Sequence, residues 1–164
     1  MFSKQKKESG IIFLEILIAV ALIGIAFITL LGMGANVLNL SNNIRTTIQA
    51  DSLAKEEIEA LRSYRDGTNW AANGLGTNNG LGTVSAGSSN PYYLTVSSGR
   101  WNLVSGAETQ GIFTRKIVFD AVYRDANGNI AGSGALDSNT KKVTVTIGWP
   151  GKTYQVITYL TNWK

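Results

Sequence analysis

Glu15 is the residue whose placement most demands a chemical role. It is the only charge in the run Ile11–Leu31, IIFLEILIAVALIGIAFITLL, which holds 21 residues. That length suffices to cross a bilayer core, which takes roughly 20 apolar residues. A carboxylate at the centre of such a helix costs about 2.5–3.5 kcal/mol on insertion scales. Glu15 sits near the start of the run, where water is closer and the cost lower, but it still calls for a partner. Just ahead of it lies MFSKQKKESG, in which Lys4, Lys6 and Lys7 face a single acid, Glu8, and Gly10 closes the stretch.

Other chemistry is narrowly bounded. The chain has no His and no Cys. The usual zinc, copper and haem ligands are therefore missing, as are Ser-His and Cys-His nucleophile pairs. Glu56, Glu57 and Glu59 are the densest acids, but they read as the wet face of a helix rather than a hydrolytic pair. Asp125-Ala126-Asn127-Gly128-Asn129-Ile130 is faintly like a calcium loop. An EF-hand needs Gly at position six and Glu at twelve, whereas here Gly128 is fourth and Leu136 twelfth. Asn127-Gly128 reads instead as a hairpin turn. Arg100-Trp101, Arg115-Lys116 and Lys141-Lys142 could track phosphates, but on strands such residues are ordinarily solvated charge, so nucleic acid is not an expected partner. Trp149, Tyr154, Tyr159 and Trp163 read as sheet core or subunit contacts. No catalytic, cofactor or metal site is expected, and the chain is not expected to be an enzyme.

The elements that position Glu15 come next. Basic residues flanking a first apolar segment tend to stay in the cytoplasm, so the rest of the chain is expected to cross outward. A secretory signal peptide has an apolar core of about 7–15 residues and a small-residue cut site. Gly32-Met33-Gly34-Ala35 could serve as that site, but the run is too long and holds an acid. A plain single-pass anchor, carrying an outer binding domain that does not polymerise, explains length and orientation but gives Glu15 no role.

The junction Ser9-Gly10-Ile11-Ile12-Phe13-Leu14-Glu15 resembles the N-terminal signature of type IV prepilins and pseudopilins. In that family a short basic leader ends in Gly, an apolar helix follows, and Glu is fifth after the cut. The resemblance implies cleavage between Gly10 and Ile11 by a prepilin peptidase, N-methylation of Ile11, and a role for Glu15 in assembly and register. It also implies a structural subunit, most like a minor pilin, held first in the cytoplasmic membrane. The subunit then joins other pilin subunits in an extracellular pilus or a periplasm-spanning pseudopilus. Ile11 stands where Phe is commoner, the helix-breaking Pro of many pilins is replaced by Gly only, and the C-terminal disulfide of many proteobacterial pilins has no counterpart. The physics is coherent on its own. A carboxylate and a freshly made ammonium can offset each other's burial among packed apolar helices, where either alone is costly.

Five segments follow from composition. Residues 1–10 form the leader, 11–35 the membrane or fibre-core helix, 36–66 an amphipathic helix, 67–91 a Gly/Asn/Ser-rich loop and 92–164 a sheet. In the second helical part, Ile44, Ile48, Ala54, Ile58 and Leu61 make an apolar stripe opposite Arg45, Asp51, Lys55, Glu56, Glu59 and Arg62. The resemblance makes the loop the variable one between helix and sheet, which tends to be exposed on the fibre. From Tyr92 the period becomes two. Strands are expected over 92–96, 100–104, 112–123, 142–149 and 154–160, with turns at Ser98-Gly99 and Pro150-Gly151. Phe113, Ile117, Phe119, Ala121 and Tyr123 share one parity. The fold class is α+β: a long N-terminal helix, membrane-spanning then amphipathic, packed on a C-terminal antiparallel β-sheet, which the resemblance makes pilin-like. The mature chain would carry 12 basic and 10 acidic side chains, a net +2, so the sequence pI of 9.4 says little about partners.

Overall fold

The computed structural model describes residues 5–71 and 80–163, with residues 5–10 as backbone only. Met1–Lys4 of the expected leader and residues 72–79 of the expected loop lie outside the described residues. Helix α1 runs Gln5–Gly67 without a break. It therefore begins before the expected start at Ile11 and passes through Gly24, Gly32 and Gly34. Each glycine costs about 1 kcal/mol against Ala, which the long run of Leu, Ile and Ala around them absorbs. The chain divides into two compact units, residues 1–46 and 47–164.

The described residues of the first unit are helix alone. Its large apolar side chains, from Ile11 at 62% to Leu31 at 73%, are all more than half exposed. It is long and apolar enough to cross a membrane.

The second unit is an α+β head built on the last turns of α1. Among the described residues seven strands form one antiparallel sheet: β1 Tyr92–Ser97, β2 Arg100–Ser105, β3 Glu108–Gln110, β4 Phe113–Arg124, β5 Ile130–Ala131, β6 Ala135–Trp149 and β7 Lys152–Thr161. The order is β2-β1-β4-β6-β7, and β3 and β5 also pair with β4. One face of the sheet packs on Ala50, Ala54, Ile58, Leu61 and Tyr64 of α1 through Leu94, Ile117, Phe119, Val143, Val145, Ile147 and Leu160. A helix with one apolar stripe and a sheet with one apolar face cover each other. Ser98 and Gly99 both take positive φ, at 53° and 72°. That is the twist a two-residue hairpin loop between β1 and β2 requires.

Four expectations are corrected. Ile48, expected in the core stripe, is 63% exposed, and Ile44 is exposed as well, because burial of the helix starts only at Ala50. Tyr123 is exposed and Val122 buried; Val122 shares the parity of the buried Val118, neither belongs to the helix-facing core, and beside them the β4–β6 register shifts by three extra residues in β6. Strand β6 starts seven residues earlier than expected, and β3 and β5 were not foreseen. These pieces have little apolar alternation, since Leu136 and Ile130 face water.

The fourth correction concerns the expected exposed loop. Trp70, Leu81 and Val84 belong to the core. Trp70 Nε1 donates to the Ser138 carbonyl at 3.0 Å, and Gly82 N–H donates to the Trp70 carbonyl at 3.0 Å. A short 3-10 turn, Leu81–Thr83, lies against this ring. A Cβ on Gly82 would stand 2.5 Å from Trp70 Cδ1 and Nε1, and one on Gly80 would collide with the Asn69 and Trp70 carbonyls. Gly80 and Gly82 are therefore close-contact positions at this end.

Candidate functional site

Gly10, Ile11 and Glu15 all lie in α1. Ile11 and Glu15 are four residues apart, hence one above the other on one helix face. Helical side chains tilt toward the N-terminus, so the Glu15 carboxylate leans over the turn that carries Ile11. Both side chains are exposed. The surrounding residues of the apolar run offer no covering group from this chain, and Ile12, Phe13, Leu14, Ile16 and Leu17 are exposed with them. The geometry suits an opposite charge at the Ile11 end of the helix, set in a non-aqueous surround.

A second charged constellation sits in the head, and sequence reading missed it. Glu57 is only 1% exposed, which corrects its placement on a wet face. Its Oε1 accepts the Leu94 backbone N–H at 2.9 Å, and its Oε2 lies 3.1 Å from Arg115 Nη1. Arg115 Nη2 donates to the Leu94 carbonyl at 3.4 Å, and the same guanidinium pairs with Glu108 and reaches Glu56 at 3.5 Å. The reason lies in the ladder. β1 meets β4 at a single pair, Tyr92↔Ile117. Continued two residues further, that register would set Leu94 opposite Arg115, but Arg115 pairs with Glu108 of β3 instead. The strands splay, and the Glu57 and Arg115 side chains take up the backbone groups of Leu94 that β4 leaves behind. Buried backbone groups demand such partners.

Burial pushes the Glu57 carboxyl above its ordinary value, against the opposing pull of the Leu94 N–H and Arg115. Burial lowers Arg115, but Glu57, Glu108 and Glu56 together outweigh it and hold the guanidinium above its usual range. A signal for this pair was present in the sequence. Glu57 falls three after Ala54 and four before Leu61, on the buried stripe, and Arg115 shares the parity of Phe113 and Ile117. Arg115, one of the basic residues weighed for nucleic-acid contact, is thus committed inside the head.

The remaining candidates resolve individually. Asp125 Oδ1 accepts the Asn127 and Asn129 N–H groups, both at 2.9 Å, so its carboxylate closes the turn into β5. Gly128 there has φ of 83°. Tyr154 packs on the core, and its hydroxyl donates to Asp51 Oδ1 at 2.8 Å. Asp51, expected on the outer face, is thereby tied to β7. Trp149 also packs on the core, whereas Tyr159 and Trp163 are exposed. Among the described residues no group of three or more His, Cys, Asp or Glu is placed to hold a metal ion. Comparison with protein families, curated proteins and solved structures returned no match for this chain.

Proposed function

We propose that this chain is a structural subunit, of the minor kind, of a type IV pilus or a related pseudopilus. It is made as a prepilin and cut between Gly10 and Ile11 by a prepilin peptidase. The observation that carries the reading is an uncovered apolar helix with a single acid one turn beyond Ile11. Cutting after Gly10 would create an ammonium at the Ile11 end of that helix. In a fibre of packed helices, Glu15 of one subunit would meet the Ile11 amine of a neighbour, each relieving the other's desolvation. Ile11 would carry the N-methyl group, and methylation leaves that charge in place.

The subunit resides first as a single-pass protein of the cytoplasmic membrane, with the leader lysines inside and the head outside. It then moves into an extracellular pilus or a periplasm-spanning pseudopilus. Two observations support a head devoted to contact rather than catalysis. The buried carboxylate Glu57 is consumed in bridging the β1–β4 gap, and the Asp125 carboxylate in holding a turn.

Mass spectrometry of the protein recovered from its native cell tests the reading directly. A mature start at Ile11 is expected, one methyl group heavier than the bare residue. An intact Met1 would instead favour a single-pass anchor whose outer domain binds without polymerising, and a start near Asn36 a secreted domain. Glu15→Gln and Glu15→Ala should be processed yet fail to enter fibres. Fibres at parental yield from either variant would remove the role given to Glu15.

A further inference from the structure

We propose that the head carries a binding site for a neutral pyranose sugar in the cleft between the end of α1 and the end of β7. The cleft encloses about 500 Å³, within the range of small-molecule sites. Trp163 stands at its rim, 62% exposed. It is nevertheless fixed: Nε1 donates to Asp66 Oδ1 at 3.3 Å, and the Arg65 guanidinium lies 6.0 Å from the ring centroid. Arg65 Nε also donates to Asp66 Oδ1, at 2.8 Å. An exposed indole held by a carboxylate and a guanidinium is a preorganised apolar platform, and preorganisation lowers the cost of binding. Its exposure calls for an occupant more than an isolated aliphatic side chain would.

The polar groups beside it narrow the ligand. Asn69 Oδ1 accepts the Ala71 N–H at 3.2 Å, and Asn162 Nδ2 donates to Asn139 Oδ1 at 3.2 Å. Asn69 and Asn162 both line the cleft, and an amide carries a donor end and an acceptor end. The cleft thus has amide donors and acceptors in its lining, with Thr161 and Thr68 beside them, the Thr68 hydroxyl donating to the Tyr64 carbonyl at 2.8 Å. A hydroxyl both donates and accepts, so it satisfies either amide. Arg65 and Asp66 pair with each other, so the described lining residues carry no net charge to select an ion. A ring with an apolar C–H face for the indole and equatorial hydroxyls for the amides fits all three features. A wholly apolar ligand would leave the amides desolvated and unpaired, and an ionic one would find no counter-charge. The site stands independently of fibre assembly.

Calorimetry and saturation-transfer NMR on the full chain in lipid nanodiscs test it, with cellotriose, maltotriose and tri-N-acetylchitotriose as neutral probes and sialyllactose as a charged one. At least one neutral trisaccharide should bind in the millimolar range or tighter. Trp163→Ala should weaken that binding by about tenfold or more, as for an aromatic anchor, and Trp163→Phe by less. Asn69→Ala, which leaves the indole in place, should also weaken it, with the melting temperature of each variant near that of the parent. Silence from all neutral probes at about 10 mM, binding of sialyllactose alone, or binding undiminished in both Trp163→Ala and Asn69→Ala would each overturn the proposal.

Discussion

At the scale of single residues, the Glu57–Arg115 pair decides how the head responds to mutation and pH. Arg115→Met leaves the Glu57 carboxylate buried without its cation. The expected loss is about 3–5 kcal/mol, the usual penalty for breaking a buried pair from one side, readable by urea denaturation. Adding Glu57→Gln should recover much of it, because Gln keeps an acceptor for the Leu94 N–H and no longer carries charge. The pH dependence has a definite sign. The native value of Glu57 lies above its unfolded one, so the native state takes up the proton first. Its contribution to stability therefore falls as pH rises from the ordinary Glu value, about 4.3, through the native one. Glu57→Gln cannot titrate, so its melting temperature relative to the parent should climb across that window and then level off. A difference independent of pH would mean that burial does not dominate this carboxyl. The aspartates run the other way. Lys55 and Tyr154 hold Asp51 below its ordinary value, the Asn129 N–H does the same for Asp125, and Thr140 and Arg124 for Asp137. What they contribute is present above the unfolded value and lost as pH falls through the native one.

At the scale of elements, the segment entering β1 is the sharpest test. Trp70→Ala should cost about 3–5 kcal/mol, since the ring is buried beneath Leu81 and Gly82. Gly82→Ala should cost about 1–3 kcal/mol by overpacking against that ring, whereas Gly132→Ala, with nothing within 4 Å, should fall within about 0.5 kcal/mol. Parental stability in Gly82→Ala by thermal melting would show that Trp70 is free to move aside. This segment also shows where sequence reading succeeds and fails. Strands β1, β2, β4 and β7 were legible because each alternates between one wet and one dry face. The β6–β7 turn was legible because Pro150-Gly151 joins Trp149 to Lys152. The β6 bulge opposite Ala121 and Val122 was not, because its extra residues Ser138, Asn139 and Thr140 are polar and have no apolar alternation to interrupt. Trp70 was not, because one aromatic among glycines and asparagines has no period at all. Glu57 was not, because a charge on an apolar stripe reads as the edge of the wet face unless its partner Arg115, 58 positions along the sequence, is already known to share the core.

At the scale of the whole molecule, the two units call for different solvents. The helix exposes the apolar run Ile11–Leu31, in which Glu15 is the only charge, whereas the unit from Thr47 has its own core. A fragment of residues 47–164 should therefore stay soluble without detergent and melt cooperatively, while the full chain should require lipid or detergent. Sedimentation and far-UV circular dichroism of the two would check this, and a fragment without a cooperative transition would contradict it. The apolar helix with Glu15 inside it was the most legible element, because a charge inside an apolar run stands out in sequence as it does in energy. The cleft beside Trp163 was illegible, since Arg65 and Trp163 are distant in sequence and meet only when β7 returns beside the end of α1.

The clasp formed by Trp70, Ser138 and Gly82 has a consequence for biogenesis. Many exported domains secure such a crossing with a covalent bond that an oxidoreductase must install. Here dispersion, one indole hydrogen bond and two missing methyl groups hold it. The head should then acquire its native shape equally well in cells lacking thiol oxidases, and dithiothreitol should leave its unfolding curve where it was.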